Sequence, residues 1–152
     1  MVDFRAPNEY AFAALFDALA VPWKYEALEP DISRAIRYQP DFWLPDSLTW
    51  VEIKPQSLTP TPGEAHVARL LVEATGRPCY MCAGWPDAYD LKIWVYFKDV
   101  EQCARAGGGL AMAWLASLLN RTPRSVTRAG LGVMRRREEF VRMWRESHGK
   151  EF

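Results

Sequence analysis

The chain has 152 residues, 49% hydrophobic and 25% charged, which is the size and composition of one packed domain and excludes global disorder. No run approaches the ~18 apolar residues of a membrane span, and Met1-Val2-Asp3-Phe4-Arg5 lacks the basic start and apolar block expected of a secretory leader. The net charge of zero hides an asymmetry: residues 1–120 carry 10 Lys or Arg against 15 Asp or Glu, and residues 121–152 carry 9 against 4, so a body of −5 precedes a tail of +5.

Three cysteines cannot all pair within the chain, which favours a reducing, cytoplasmic setting. Residues 8–20 predict a helix, opened by Asn8 or Pro7, with Phe12, Leu15, Phe16 and Leu19 as its apolar stripe. Pro22 stops it. "WKYEAL" at 23–28 alternates like a strand, and a polar connection over 29–35 leads to a second strand, "IRYQPDFWLP". "PDSL" at 45–48 is a turn, followed by a third strand, "TWVEIK". A proline-rich loop precedes a second helix over 64–76, ended by Gly76. Strands follow at "RPCYMCAG" and 91–97, then an apolar helix at 109–119. Gly107–Gly109 reads as a loop. Past Asn120 come Pro123, Gly130 and Gly132, then a basic helix, "MRRREEFVRMWRESH". The order predicts one α/β domain. Its mixed sheet is flanked by helices, with an antiparallel hairpin and then a parallel return after the second helix.

A four-residue loop at Pro45–Leu48 sets Leu44 opposite Thr49, Trp43 opposite Trp50, Phe42 opposite Val51 and Asp41 opposite Glu52. Alternation then places Asp41, Trp43, Trp50, Glu52 and Lys54 on one face. Phe42, Leu44, Val51 and Ile53 form the other face, which is purely apolar and must be core. Like charges set opposite each other destabilise a sheet. A divalent cation between the two carboxylates reverses that sign. Glu9 shares a helix face with Phe12, Ala13 and Phe16 and so heads the stripe that packs on the sheet. An acid in a first helical turn also simply complements the helix dipole. Both readings of Glu9 stand at this point.

"PD" at 40–41 followed by "EIK" at 52–54, with ten residues between Asp41 and Glu52, resembles the PD-(D/E)XK phosphodiesterase superfamily of restriction and recombination nucleases. With the Glu9 helix before it and "LLVEATGRPCYMCAG" after it, the likeness is to small phage and bacterial members and covers roughly residues 8–98. The resemblance implies an αβββαβ restriction-endonuclease-like core over residues 1–120, with residues 121–152 as a basic helical extension. It implies Mg²⁺ or Mn²⁺ held by Asp41, Glu52 and the Ile53 backbone carbonyl, with Glu9 contributing directly or through water. It makes Lys54 the residue that orients the nucleophile or neutralises phosphate charge. The reaction it implies is hydrolysis of DNA to 5′-phosphate and 3′-hydroxyl ends. Cutting two strands or a junction needs two sites, so a homodimer is an expected partner state. The rival readings are a catalytically idle nucleic-acid-binding module and a subunit of a larger transposase or restriction assembly.

Other features carry less. Cys79 and Cys82 form a CxxC without a second pair, and strand spacing turns them to opposite faces. His66 reads as a polar side chain facing solvent on the second helix. Trp43 and Trp50 suit either stacking on bases or cross-strand packing. Arg135, Arg136, Arg137, Arg142 and Arg145 suit backbone phosphates, whereas Phe140, Val141 and Trp144 suit docking of the same helix on the body.

Overall fold

The computed structural model describes residues 2–149. In chain order the elements are α1 (Pro7–Ala18), β1 (Lys24–Tyr25), α2 (Pro30–Ile36), β2 (Phe42–Leu44), β3 (Thr49–Lys54), α3 (Pro62–Thr75), β4 (Cys79–Ala83), β5 (Lys92–Tyr96), β6 (Ala104–Gly107), α4 (Gly108–Leu118), α5 (Pro123–Met134) and α6 (Arg137–His148). The chain is α/β: a six-stranded mixed sheet in the order β1-β2-β3-β4-β5-β6, antiparallel throughout except for the parallel pair β3–β4. Among the described residues no helix is long and apolar enough to cross a membrane.

The hairpin forms in the expected register, with Phe42 paired to Val51, Trp43 to Trp50 and Leu44 to Thr49. The two faces also separate as alternation requires. Phe42, Leu44, Val51 and Ile53 join one apolar cluster with α1, α4, α5 and α6. Trp50 and Trp43 join the other, under α2 and α3, with Leu71 and Val72. Helix α3 supplies the crossover between the parallel strands. Thr61 and Glu64 form a reciprocal capping box at its start, and Gly76, in the left-handed region at φ 70°, closes it.

Five elements differ from the sequence expectation, and the first is β1, which keeps only Lys24–Tyr25 of the strand predicted over 23–28. The polar connection contains α2: Pro30 presets the first turn, and Ile32 and Ile36, one helical turn apart, rest on the second cluster. Strand β2 is short because Ile36 still belongs to α2 and Arg37 turns left-handed at φ 56°. Strand β6 occupies part of what reads as a glycine loop. Helix α5 runs through Gly130 and Gly132 up to Met134, so the basic helix begins at Arg137. Gly130 is a packing requirement there: a Cβ would sit 2.8 Å from the Pro86 carbonyl oxygen. The tail over residues 121–149 is built into the body. Val126, Val133 and Phe140 are buried in the same cluster as Phe12 and Phe16.

Candidate functional site

Asp41, just before β2, Ile53 and Lys54, closing β3, and Gly84, just after β4, lie in a row along one end of the sheet. The N-terminus of α1 lies across this row. Asn8 Nδ2 donates to the Lys54 carbonyl at 2.9 Å and to the Gly84 carbonyl at 2.7 Å, pinning the helix over the ends of the parallel pair. That contact sets the next residue, Glu9, toward β1 and β2. Carboxyl ends of adjacent parallel strands are where open α/β sheets place their ligands.

Three acids meet here. Among the described residues the buried charged side chains are Glu9, Asp41 and Glu52, exposed by 2%, 4% and 8%. Each has one oxygen held by a protein donor. Tyr25 donates its hydroxyl to Glu9 Oε1 at 2.7 Å. The Ile53 N–H donates to Asp41 Oδ2 at 2.7 Å, so a side chain continues the ladder where β2 has no backbone partner to offer. Tyr38 donates to Glu52 Oε2. Asp41 lies within hydrogen-bond reach of both Glu9 and Glu52 and so links the two faces of the sheet around the end of β2.

The electrostatics follow from burial without a cation. Burial, then the hydrogen bond and charge of Glu52 and the charge of Glu9, push Asp41 well above the usual carboxylate range; the Ile53 N–H opposes this. Burial, with a smaller push from Glu52, also raises Glu9 against the hydrogen bonds from Tyr25, Asp41 and Ala6. Burial and a neighbouring like charge both favour the neutral form of such a carboxyl. Burial, followed by the charge of Glu52, raises the Tyr38 hydroxyl and the Cys79 thiol.

The structure thus brings Glu9, Asp41 and Glu52 together, with the Ile53 backbone beside them. Lys54 is differently engaged. Its ammonium pairs with Glu64, whose other oxygen accepts from the Thr61 N–H at 2.9 Å in the capping box. Trp43 and Trp50 pack on each other, ring centroids 4.5 Å apart at 47°. Trp50 is buried and donates its indole N–H to Thr75 Oγ1 at 3.1 Å, so its faces belong to the cluster under α3 and are closed to a base. The tail arginines are spread over α6 and the turn before it. Arg136 pairs with Glu139 at 2.8 Å and covers Phe140, and Arg142 faces Glu146 at 4.0 Å. Arg137 lies 4.7 Å above the Trp85 ring, one residue from Gly84 and therefore on the site's end of the sheet. Arg135 and Arg145 are exposed. Helix α6 docks as its apolar face requires: Phe140 is buried, and Trp144 donates its indole N–H to the Arg5 carbonyl at 2.9 Å.

Sequence reading missed Tyr25, Tyr38, Asn8 and Glu64. Tyr25 and Tyr38 alternate with apolar neighbours and read as core aromatics. Thr61 and Glu64 do carry the T-x-x-E capping signature, but nothing in it points to Lys54.

The donor set is hard oxygen, which suits Mg²⁺ or Mn²⁺. Asn8 Oδ1 adds a buried acceptor with no partner among the described residues, one position from Glu9. The carboxyls are not set as a ready ligand cage: among the described residues no group of three His, Cys, Asp or Glu is spaced to hold an ion. No protein-family model, curated protein or solved structure matches the chain.

Proposed function

We propose that the chain is a divalent-metal-dependent endonuclease with a restriction-endonuclease-like PD-(D/E)XK core, hydrolysing DNA phosphodiesters to 5′-phosphate and 3′-hydroxyl ends. The observation that carries this reading is the convergence of the three buried acids at one sheet end, a cluster that destabilises the fold unless a cation or protons neutralise it. Glu9, Asp41 and Glu52 would hold Mg²⁺ or Mn²⁺ through their oxygens, with the Ile53 carbonyl as a further candidate. The ion supplies charge for the scissile phosphate and an acidified water. Asp41 would hold the ion in its ionised form, so metal binding would favour loss of any proton it carries. Asn8 keeps α1 fixed across the strand ends while this happens. Lys54 exchanges Glu64 for a phosphate oxygen or the attacking water, and Arg137 is the tail residue best placed to meet an adjacent phosphate. A homodimer would supply the second site for two-strand cutting, and a cytoplasmic setting suits the free thiols.

A second reading has one observation in its favour. Lys54 is committed to Glu64 and not turned to the acids, as in a nucleic-acid-binding module that no longer cuts. A panel of labelled single-stranded, duplex and branched DNA and RNA, with Mg²⁺, Mn²⁺ or chelator, separates the two. Metal-dependent cleavage that vanishes in Asp41→Asn supports the nuclease. Binding without cleavage under every condition supports the module.

A further inference from the structure

We propose that Tyr25 and Tyr38 are positioning residues of the acidic site, aiming Glu9 and Glu52 at a common cation. This rests on the reading of the three acids as a divalent-cation site and adds the groups that set its affinity. A carboxylate has two oxygens and rotates about its last bond. A donor fixed on one oxygen settles the plane and presents the other oxygen to an ion, and loss of such a partner typically weakens metal binding. Tyr25 does this for Glu9 from β1, and Tyr38 does it for Glu52 from the segment between α2 and β2, on the opposite face of the sheet. The Ile53 N–H does the same for Asp41.

The phenol rings are held independently of their hydroxyls. Tyr25 meets Phe4 edge-on at 4.9 Å and Phe42 at 5.5 Å. Tyr38 packs with the cluster under α2 and α3. Phenylalanine at either position therefore keeps the packing and removes only the donor. Tyr10 provides the control. It is buried next to Glu9 in sequence and meets Phe4 at 4.7 Å, and no hydrogen bond joins its hydroxyl to the three acids.

The test is calorimetric titration of the whole chain with Mn²⁺ alone, without nucleic acid, beside melts in chelator. Tyr25→Phe and Tyr38→Phe should each bind Mn²⁺ ~10–100-fold more weakly than the parent. Tyr10→Phe should bind as the parent does. Either phenol variant decides the matter, so failure of one to fold leaves the other. If the parent binds Mn²⁺ and both variants bind equally well, the hydroxyls serve stability alone and the proposal is overturned while the cation site stands. An equal loss in Tyr10→Phe overturns it too. If the parent does not bind Mn²⁺, the cation reading itself falls, and this one with it.

Discussion

The acidic end of the sheet and the charged surface of α6 treat charge in opposite ways. On α6 and at its N-cap the arginines are exposed and two of them are matched within one helical turn, Arg136 to Glu139 and Arg142 to Glu146. Such pairs contribute little to stability and leave the helix to be held by Phe140 and Trp144. At the sheet end three acidic side chains are buried together, and the donors held to them are hydroxyls and a backbone amide. Burial of that kind lowers stability and persists where function requires it. Net charge alone would have given the tail more weight. On the proposed reading the chemistry lies in the region whose charges are worst compensated.

The sharpest way to break this comparison is to remove one of the buried acids. Asp41→Asn keeps the shape and removes the charge that links Glu9 to Glu52. Cleavage should fall by ~10³-fold or more, since metal charge on the phosphate is worth several kcal/mol. The melting temperature in chelator at neutral pH should stay level or rise, because like-charge repulsion is relieved. A large drop in melting temperature would mean that the acid is structural.

Lys54→Ala should slow cleavage by ~10²-fold, the scale of one lost transition-state contact. Mn²⁺ affinity should change little, because Lys54 pairs with Glu64 and not with the three acids. Single-turnover rates beside calorimetry read the two effects separately. Equal rates in parent and variant would remove Lys54 from the chemistry and favour the binding-module reading.

The pH dependence of stability follows from the same cluster. Asp41 and Glu9 have folded pKa values raised above the unfolded carboxylate values near 4. Above that point the folded state binds more protons than the unfolded chain, so unfolding free energy falls as pH rises. The contribution is complete below about 4 and is lost as pH climbs through the raised folded values. Metal-free protein should therefore melt higher at pH 5.5 than at pH 8, and Asp41→Asn should flatten the trend. Mn²⁺ should flatten it as well by replacing the protons. A parent whose melting point rises with pH in chelator would contradict the burial of an uncompensated cluster.

How much of this was legible depends on whether the signal was local. The hairpin register was readable because Pro45-Asp46 fixes the turn and a one-residue slip would bury Glu52 and Lys54 in the Phe42 face. Asp41 and Glu52 stood out because acids are rare in buried strands. Helix α5 was not readable, because the use of Gly130 lies in its approach to the Pro86 carbonyl, 44 positions away in sequence. Tyr25 and Tyr38 were not readable either: the alternation that marks a core aromatic says nothing of where its hydroxyl ends. Trp50 shows the reverse error. It shares the acids' face by alternation, yet α3 covers it.

The smallest effect belongs to α6 and sharpens the comparison from its other side. If the tail binds backbone phosphate, only cations not already matched should register. Each neutralised phosphate changes the slope of log affinity against log salt by ~0.9 on duplex DNA. Arg136 is engaged by Glu139 and by Phe140, so Arg136→Gln should leave that slope where it is. Arg137 rests on Trp85 with no acid partner among the described residues, so Arg137→Gln should flatten the slope by about one unit. Losing its contact with the indole should also lower stability by roughly 0.5–1 kcal/mol. Anisotropy across a salt series, beside a melt of each variant, separates the two consequences. Equal slopes for Arg137→Gln and the parent, with the melt still lowered, would make α6 a docking helix alone and leave the acidic end to find its substrate without it.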